Sequence, residues 1–136
     1  MHILGIGVDI IKNSRIKRSI INKNFIYRIF SEGEIKESKK RKNKISFFSK
    51  RFAAKEAFSK ALGLGFRNGL DFKDISIFNT KSGKPLIRIN DKLKLLIKKK
   101  FKTKKINTYL SISDEKSYSI AYVIIEKKWK LTKILL

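Results

Sequence analysis

The sequence contains no cysteine, and His2 is its only histidine. Disulfides, thiolate metal clusters and Cys–His or Ser–His nucleophile pairs are thereby excluded or nearly so. Any resident metal must be held by oxygen, which points to a hard cation such as magnesium shared between a few carboxylates and the phosphates of a substrate. Acidic residues are scarce as well, 11 against 34 Lys and Arg, leaving a formal net charge of +23. No stretch approaches the ~20 uninterrupted apolar residues of a membrane span. The opening segment MHILGIGVDII lacks a basic leader and is interrupted by Asp9, so a soluble cytoplasmic protein is expected.

What is present is enough to fold. A content of 42% hydrophobic and 11% aromatic residues can bury a real core, unlike the basic disordered tails that share this charge. The 136 residues fit one domain. So positive a field attracts polyanions: nucleic acid, anionic membranes, acidic proteins or phosphorylated metabolites. Compositional drift toward Lys, Ile and Asn accounts for part of the magnitude, though not for the sign.

Residues 3–10 alternate, with Ile3, Gly5, Gly7 and Asp9 on one face of a strand and Leu4, Ile6, Val8 and Ile10 on the other. The pattern predicts a strand that is apolar on one side and open on the other. Asn13 or Ser14 is placed to cap a short helix ending near Ile20, and Ser31 with Glu34 forms a capping box for a second across 32–41. From Ile45 to Leu62 there is no Gly or Pro, apolar residues fall at nearly every helical angle, and Gly63 and Gly65 stop the run. This predicts a central, mostly buried helix. Strands at 75–79 and 86–90 flank the turn Ser82-Gly83-Lys84-Pro85, a basic amphipathic helix runs from Asp91 to Phe101, and 107–113 with 117–126 forms a hairpin. The expected fold is α+β, a mainly antiparallel sheet packed around a central long helix. Residues 1–126 form the domain, and 127–136, mixing Lys with Trp129, Leu131 and Ile134, form a basic and apolar docking tail.

Most acids are explained by context. Glu32, Glu34 and Glu37 sit on a polar helix among lysines, while Asp71, Asp74, Asp91, Asp114 and Glu115 occupy loops and caps. Asp9, between Val8 and Ile10, and Glu56, inside RFAAKEAFSKAL, do not fit that pattern. A bare carboxylate in such surroundings costs several kcal/mol unless it is paired or metal-bound. Ser49, Ala53, Glu56 and Lys60 share one stripe of the long helix. The plain alternatives are a Glu56–Lys60 surface ion pair, worth ~0.3 kcal/mol, and a capping role for Asp9; the two acids together favour a metal–phosphate site. Gly5 and Gly7 on the Asp9 face leave room for another backbone or a ligand. The Gly63-Leu64-Gly65 turn lets backbone N–H groups approach phosphate, with Lys60 one turn earlier as a point charge.

GIGVDI at 5–10, Arg15-Ile16, RIFSEGE at 28–34, KRFAAKEAFSKALGLGFRNGLDFKDISI at 50–77, SGKP at 82–85 and SISDEKSYSIAYVIIE at 111–126 resemble the holo-acyl-carrier-protein synthases, the small bacterial phosphopantetheinyl transferases. That resemblance implies a phosphopantetheinyl transferase-like fold. It also implies transfer of 4′-phosphopantetheine from coenzyme A to a serine of apo acyl carrier protein in support of fatty acid biosynthesis, with release of adenosine 3′,5′-bisphosphate. Asp9 and Glu56 would hold Mg2+ against the pyrophosphate, and Lys60 would neutralise or protonate the leaving phosphate. Lys44, Arg51 and Gly63 would face the nucleotide of coenzyme A, and Arg15 with Arg28 would meet the acidic carrier. The family assembles as homotrimers with active sites between subunits, and neither nucleic acid nor membrane is its partner. One departure stands out: Tyr109-Leu110-Ser111 replaces the common His-Val-Ser or His-Val-Thr, which removes a histidine from that point.

Phosphoryl-type transfer asks a protein for positioning and charge neutralisation more than for covalent help, and a water oriented by Asp9 is the expected base. Two rival readings are a nucleic-acid or ribosome-associated module, suggested by the charge and by lysines interleaved with Phe and Tyr, and a carrier-binding protein that has lost catalysis, suggested by Tyr109.

Overall fold

The computed structural model describes residues 2–66, 69–103 and 105–129. The chain runs β1 (Ile3–Lys12), α1 (Asn13–Ser19), α2 (Lys23–Ile29), α3 (Glu32–Ser38), α4 (Lys44–Leu62), a 3-10 turn (Phe72–Asp74), β2 (Ile75–Asn79), β3 (Pro85–Ile89), α5 (Asp91–Phe101), β4 (Ile106–Asp114) and β5 (Tyr118–Lys127). Two antiparallel sheets form, one ordered β1-β5-β4 and the other β2-β3. The long helix α4 packs along β1 and β5 and carries much of the core, including Phe48, Ala53, Ala57 and Phe58. The α+β architecture and the central helix are as the sequence implies; residues 130–136 of the expected tail lie outside the described residues.

Three details differ from the sequence reading. First, three short helices follow β1 rather than two, because Asn22 caps α2 by accepting from the Asn24 N–H at 2.9 Å. Second, neither Asn13 nor Ser14 caps α1; Lys12 stands at the cap position without a side-chain bond. Asn13 is buried and reaches across the fold instead, donating to the carbonyls of Glu115 and Lys116 and accepting from Ser119 Oγ at 2.8 Å. It thus ties the end of β1 to the β4–β5 turn.

Third, β1 is turned over relative to the usual hydrophobic-in arrangement. The face carrying Gly5, Gly7, Asp9 and Ile11 lies against α4, while Ile6, Val8 and Ile10 point outward, with Ile10 61% exposed. Glycine is required on the inner face because the helix backbone comes so close: a methyl on Gly5 would overlap the Ala61 carbonyl, and one on Gly7 the Ala57 carbonyl. The room that the sequence reserves beside Asp9 is therefore taken by α4.

A second buried feature organises the helices. Lys55 is fully buried; its ammonium donates to Glu34 Oε2 at 2.7 Å and to the carbonyls of Ile29 (2.8 Å) and Phe72 (3.1 Å). Glu34 accepts in addition from the backbone N–H groups of Ser31 (2.8 Å) and Ile77 (2.9 Å). Glu34 does form the expected capping box, but it is a buried hub joining α2, α3, α4 and β2, not a member of a solvated polar face.

Candidate active site

The close packing of β1 on α4 brings Asp9 beside the last two turns of the helix. Lys60 donates from its ammonium to Asp9 Oδ1 and to the Val8 carbonyl, both at 3.0 Å. The plain alternative, a Glu56–Lys60 ion pair, gives way to this cross-element pair, because the strand offers a carboxylate and a carbonyl together. Glu56, one turn before Lys60, is half-buried, and its pKa is raised first by that burial and second by the negative charge of Asp9, against the opposing pull of Lys60 and Arg15. Two acids, one lysine and one arginine therefore share a single electrostatic neighbourhood. Ser49 and Ala53, lower on the same helical stripe, are fully buried, so the polar window seen in the sequence narrows to Glu56 and Lys60.

The donor set suits a hard cation. No group of three or more His, Cys, Asp and Glu is gathered among the described residues, and two carboxylate side chains are what Mg2+ commonly takes from a protein while its remaining positions go to water and substrate phosphate. Glu56, uncomfortable as a bare anion, gains from such a charge.

The other expected site residues are distributed. Gly63 ends α4 in the left-handed conformation, φ 65°, and the Lys100 ammonium reaches the neighbouring Leu62 carbonyl at 2.5 Å. Arg15 on α1 is exposed, with its guanidinium 6.0 Å from the Phe52 ring centroid. Arg28 on α2 is exposed too. Lys44 and Arg51 lie on another side of α4, with Arg51 about 140° around the helix from Glu56 at 3.6 residues per turn. Within one chain they do not join Asp9. Arg51 is buried, stacked 3.6 Å from the Phe47 ring centroid and donating to Asn79 Oδ1 at 2.9 Å, while its Nε lacks a partner. Desolvation pushes its pKa down to about 10, partly opposed by Glu34. It lines a cleft of about 490 Å3 together with Lys42, Lys50, Asn79 and Lys81. Sequence reasoning named Arg51 but not Lys42, Lys50 or Lys81, which are inconspicuous among so many lysines. Tyr109 donates to Glu126 Oε2 at 2.8 Å on the exposed side of β4.

The sequence model of the 4′-phosphopantetheinyl transferase superfamily matches residues 5–123. The chain belongs to that superfamily. Among relatives within it, the holo-(acyl-carrier-protein) synthase of Pelagibacter ubique (strain HTCC1062) is 61% identical over 128 residues, covering 94% of this chain and all of the relative. The holo-(acyl-carrier-protein) synthase of Neisseria meningitidis superposes with a TM-score of 0.81 at 35% identity, covering 92% of this chain and 99% of the other. The Bacillus anthracis str. Ames enzyme, solved in complex with CoA (3′,5′-ADP), gives 0.78 at 34% identity, covering 94% and 100%. The superfamily fold inferred from the sequence motifs is therefore present, and the match spans both Asp9 and the Glu56–Lys60 stretch.

Proposed function

We propose that Asp9 and Glu56 hold a magnesium ion with which this superfamily member carries out its reaction. The chain transfers the 4′-phosphopantetheine group from coenzyme A to a serine of apo acyl carrier protein, giving holo acyl carrier protein and adenosine 3′,5′-bisphosphate, a step that supplies fatty acid biosynthesis. The single observation carrying the site assignment is the convergence of Asp9, Glu56 and Lys60 where β1 meets α4. When bound, magnesium supplies Lewis-acid polarisation of the reacting phosphate and charge neutralisation.

The chain's own residues supply the rest. The serine oxygen forms a bond to the β-phosphorus as the bond from that phosphorus to the bridging oxygen of the departing nucleotide breaks. Lys60, half-exposed and one turn from Glu56, places its ammonium where charge develops on the leaving phosphate and neutralises or protonates it. Asp9 orients the water that takes the serine proton. The cleft around Arg51, with Lys42, Lys50 and Lys81, suits the nucleotide phosphates, and Gly63 stands apart from it, at the C-terminal end of α4 near Lys60.

Because Lys44 and Arg51 face away from Glu56 within one chain, a single coenzyme A touching both sets bridges two chains. This supports a homotrimer with active sites between subunits. The outward apolar face of the β1-β5-β4 sheet, built from Ile6, Val8, Ile10, Ile120 and Tyr122, supplies the surface for it, since patches of this kind are seldom left to water. Tyr122→Glu is expected to give a folded monomer by light scattering coupled to gel filtration, with activity lost alongside assembly. An unchanged mass would count against this face as the interface.

Arg15 and Arg28 are the contacts for the acidic carrier, within a basic field that steers it. Arg15→Ala is expected to raise the KM for carrier in a salt-sensitive manner while calorimetric binding of coenzyme A stays near that of the parent; equal loss of both would remove the assignment. No helix among the described residues is long and apolar enough to cross a membrane, and a cytoplasmic location fits the substrates. The function is tested by intact mass: apo acyl carrier protein incubated with this protein, coenzyme A and magnesium gains one phosphopantetheine, and the control without magnesium does not. An unchanged mass with well-folded protein would return the carrier-binding reading suggested by Tyr109.

A further inference from the structure

We propose that Lys60 is a built-in counter-ion for Asp9, so that the site takes up its divalent cation only together with the pyrophosphate of coenzyme A. The inference rests on the metal reading above and concerns the order and coupling of binding, not the identity of the site.

In the free protein the ammonium of Lys60 is already engaged by Asp9 Oδ1 and the Val8 carbonyl, each at 3.0 Å. One of the two carboxylate oxygens that Asp9 could offer a cation already has a positive charge on it. The charges facing Glu56 are Asp9 on one side of the balance and Lys60 and Arg15 on the other, so two carboxylates are matched by two fixed positive groups. A divalent ion arriving alone would leave the cluster doubly positive, in a protein whose net charge is +23. Such a field repels free cations and attracts anions.

Pyrophosphate changes both sides of this balance. It brings the negative charge that the added cation requires, and it offers the ammonium another partner of stronger acceptor character than a backbone carbonyl. Lys60 is free to respond: its side chain is 54% exposed, whereas that of Asp9 is 15% exposed, and a lysine head on its four-carbon stem moves without disturbing the packing of α4. Swinging from Asp9 to the phosphate vacates the carboxylate as the cation enters. Lys60 thus acts twice, first holding Asp9 in place and excluding a lone metal ion, then neutralising the phosphate.

Linkage makes this measurable, since coenzyme A must tighten metal binding by the same factor with which metal tightens coenzyme A. The experiment uses the full chain, Mn2+ as the metal and electron paramagnetic resonance to count free ion, with and without coenzyme A, corrected for manganese that coenzyme A holds by itself. In the parent protein coenzyme A is expected to tighten Mn2+ binding within the ordinary coupling range of about 5–150-fold. Lys60→Met, checked for folding by circular dichroism, is expected to bind Mn2+ several-fold more tightly than the parent in the absence of coenzyme A. That arm is decisive, because loss of a phosphate contact alone would weaken coupling without improving metal binding to the free protein. Lys60→Arg keeps the cation and is expected to keep the coupling. Parent affinity for Mn2+ that is indifferent to coenzyme A, or a Lys60→Met variant no tighter than the parent, would overturn the proposal while leaving the metal site standing. Absence of protein-bound Mn2+ in every arm would overturn it together with the metal reading.

Discussion

Lys55→Met is expected to lower the free energy of unfolding by about 3–5 kcal/mol, the usual consequence of removing one partner from a buried ion pair. Lys55 and Glu34 are both sealed from solvent, and every donor of the ammonium is used. Burial drives the Lys55 pKa below the ordinary lysine value even though Glu34 pulls it up, so at the lysine desolvation outweighs attraction, and buried pairs of this kind are commonly no better than apolar residues of the same volume. Its strength lies in matching. With Lys55 gone, the Glu34 carboxylate keeps two backbone N–H groups and the Ser31 hydroxyl but loses its bonded counter-charge, leaving only the more distant influence of Arg51, and two carbonyls lose their donor. Against a total of about 5–15 kcal/mol for a domain, that loss puts the fold near its limit. The double variant Glu34→Gln, Lys55→Met is expected to be more stable than Lys55→Met alone, because a neutral amide needs no counter-ion and its carbonyl still accepts from one of those N–H groups. Urea unfolding of both variants checks this. A single variant within about 0.5 kcal/mol of the parent, the range of ordinary surface changes, would contradict the role given to the pair.

That hub was not legible in the sequence, and the reason is specific. The Ser31–Glu34 spacing reads as a capping box, a sufficient local explanation for Glu34, while its charged partner lies 21 residues further along in a helix that reads as apolar. Helix α4 itself was legible, since a run without Gly or Pro ending at Gly63 leaves little alternative, and so were β2 and β3 around their Gly-Lys-Pro turn. Alternation in β1 separated its two faces correctly but could not say which one turns inward. The face read as open, with room for another backbone or a ligand, is the packed one. Glycines on the opposite face let α4 approach so closely that the helix backbone, not side chains, fills that side, and the isoleucines are left outward for another surface.

The candidate site shows the same division. Asp9 and Glu56 stood out because each acid sat among apolar neighbours with no local use, and the structure does bring them into one electrostatic environment with Lys60 and Arg15. The partner that helical spacing alone could offer Lys60 was Glu56, the plain alternative, since a wheel of α4 does not contain the strand beside it that supplies Asp9. Lys44 and Arg51 were expected at the nucleotide end, and the fold separates them from Glu56 around the helix, so in the proposed function they act from a neighbouring chain.

The sharpest consequence is a split between stability and activity at Glu56. Glu56→Gln and Asp9→Ala are each expected to reduce phosphopantetheine transfer by ~10³-fold or more, because the loss of a Lewis-acid contribution of several kcal/mol translates at about tenfold per 1.36 kcal/mol. Neither change should unfold the chain. Asp9→Ala releases Lys60, which is half-exposed and keeps both water and the Val8 carbonyl as partners. Glu56→Gln removes a carboxylate whose pKa is raised by burial and by Asp9, so the free protein sheds a strained charge and its thermal midpoint should be equal to or above that of the parent. A purely structural Glu56 would give the opposite result, a lower midpoint with transfer largely kept. Measured on the same preparations, the midpoint by calorimetry and the transfer rate by intact mass of the carrier separate the two cases, and transfer retained at saturating magnesium would remove Glu56 and Asp9 from the metal site.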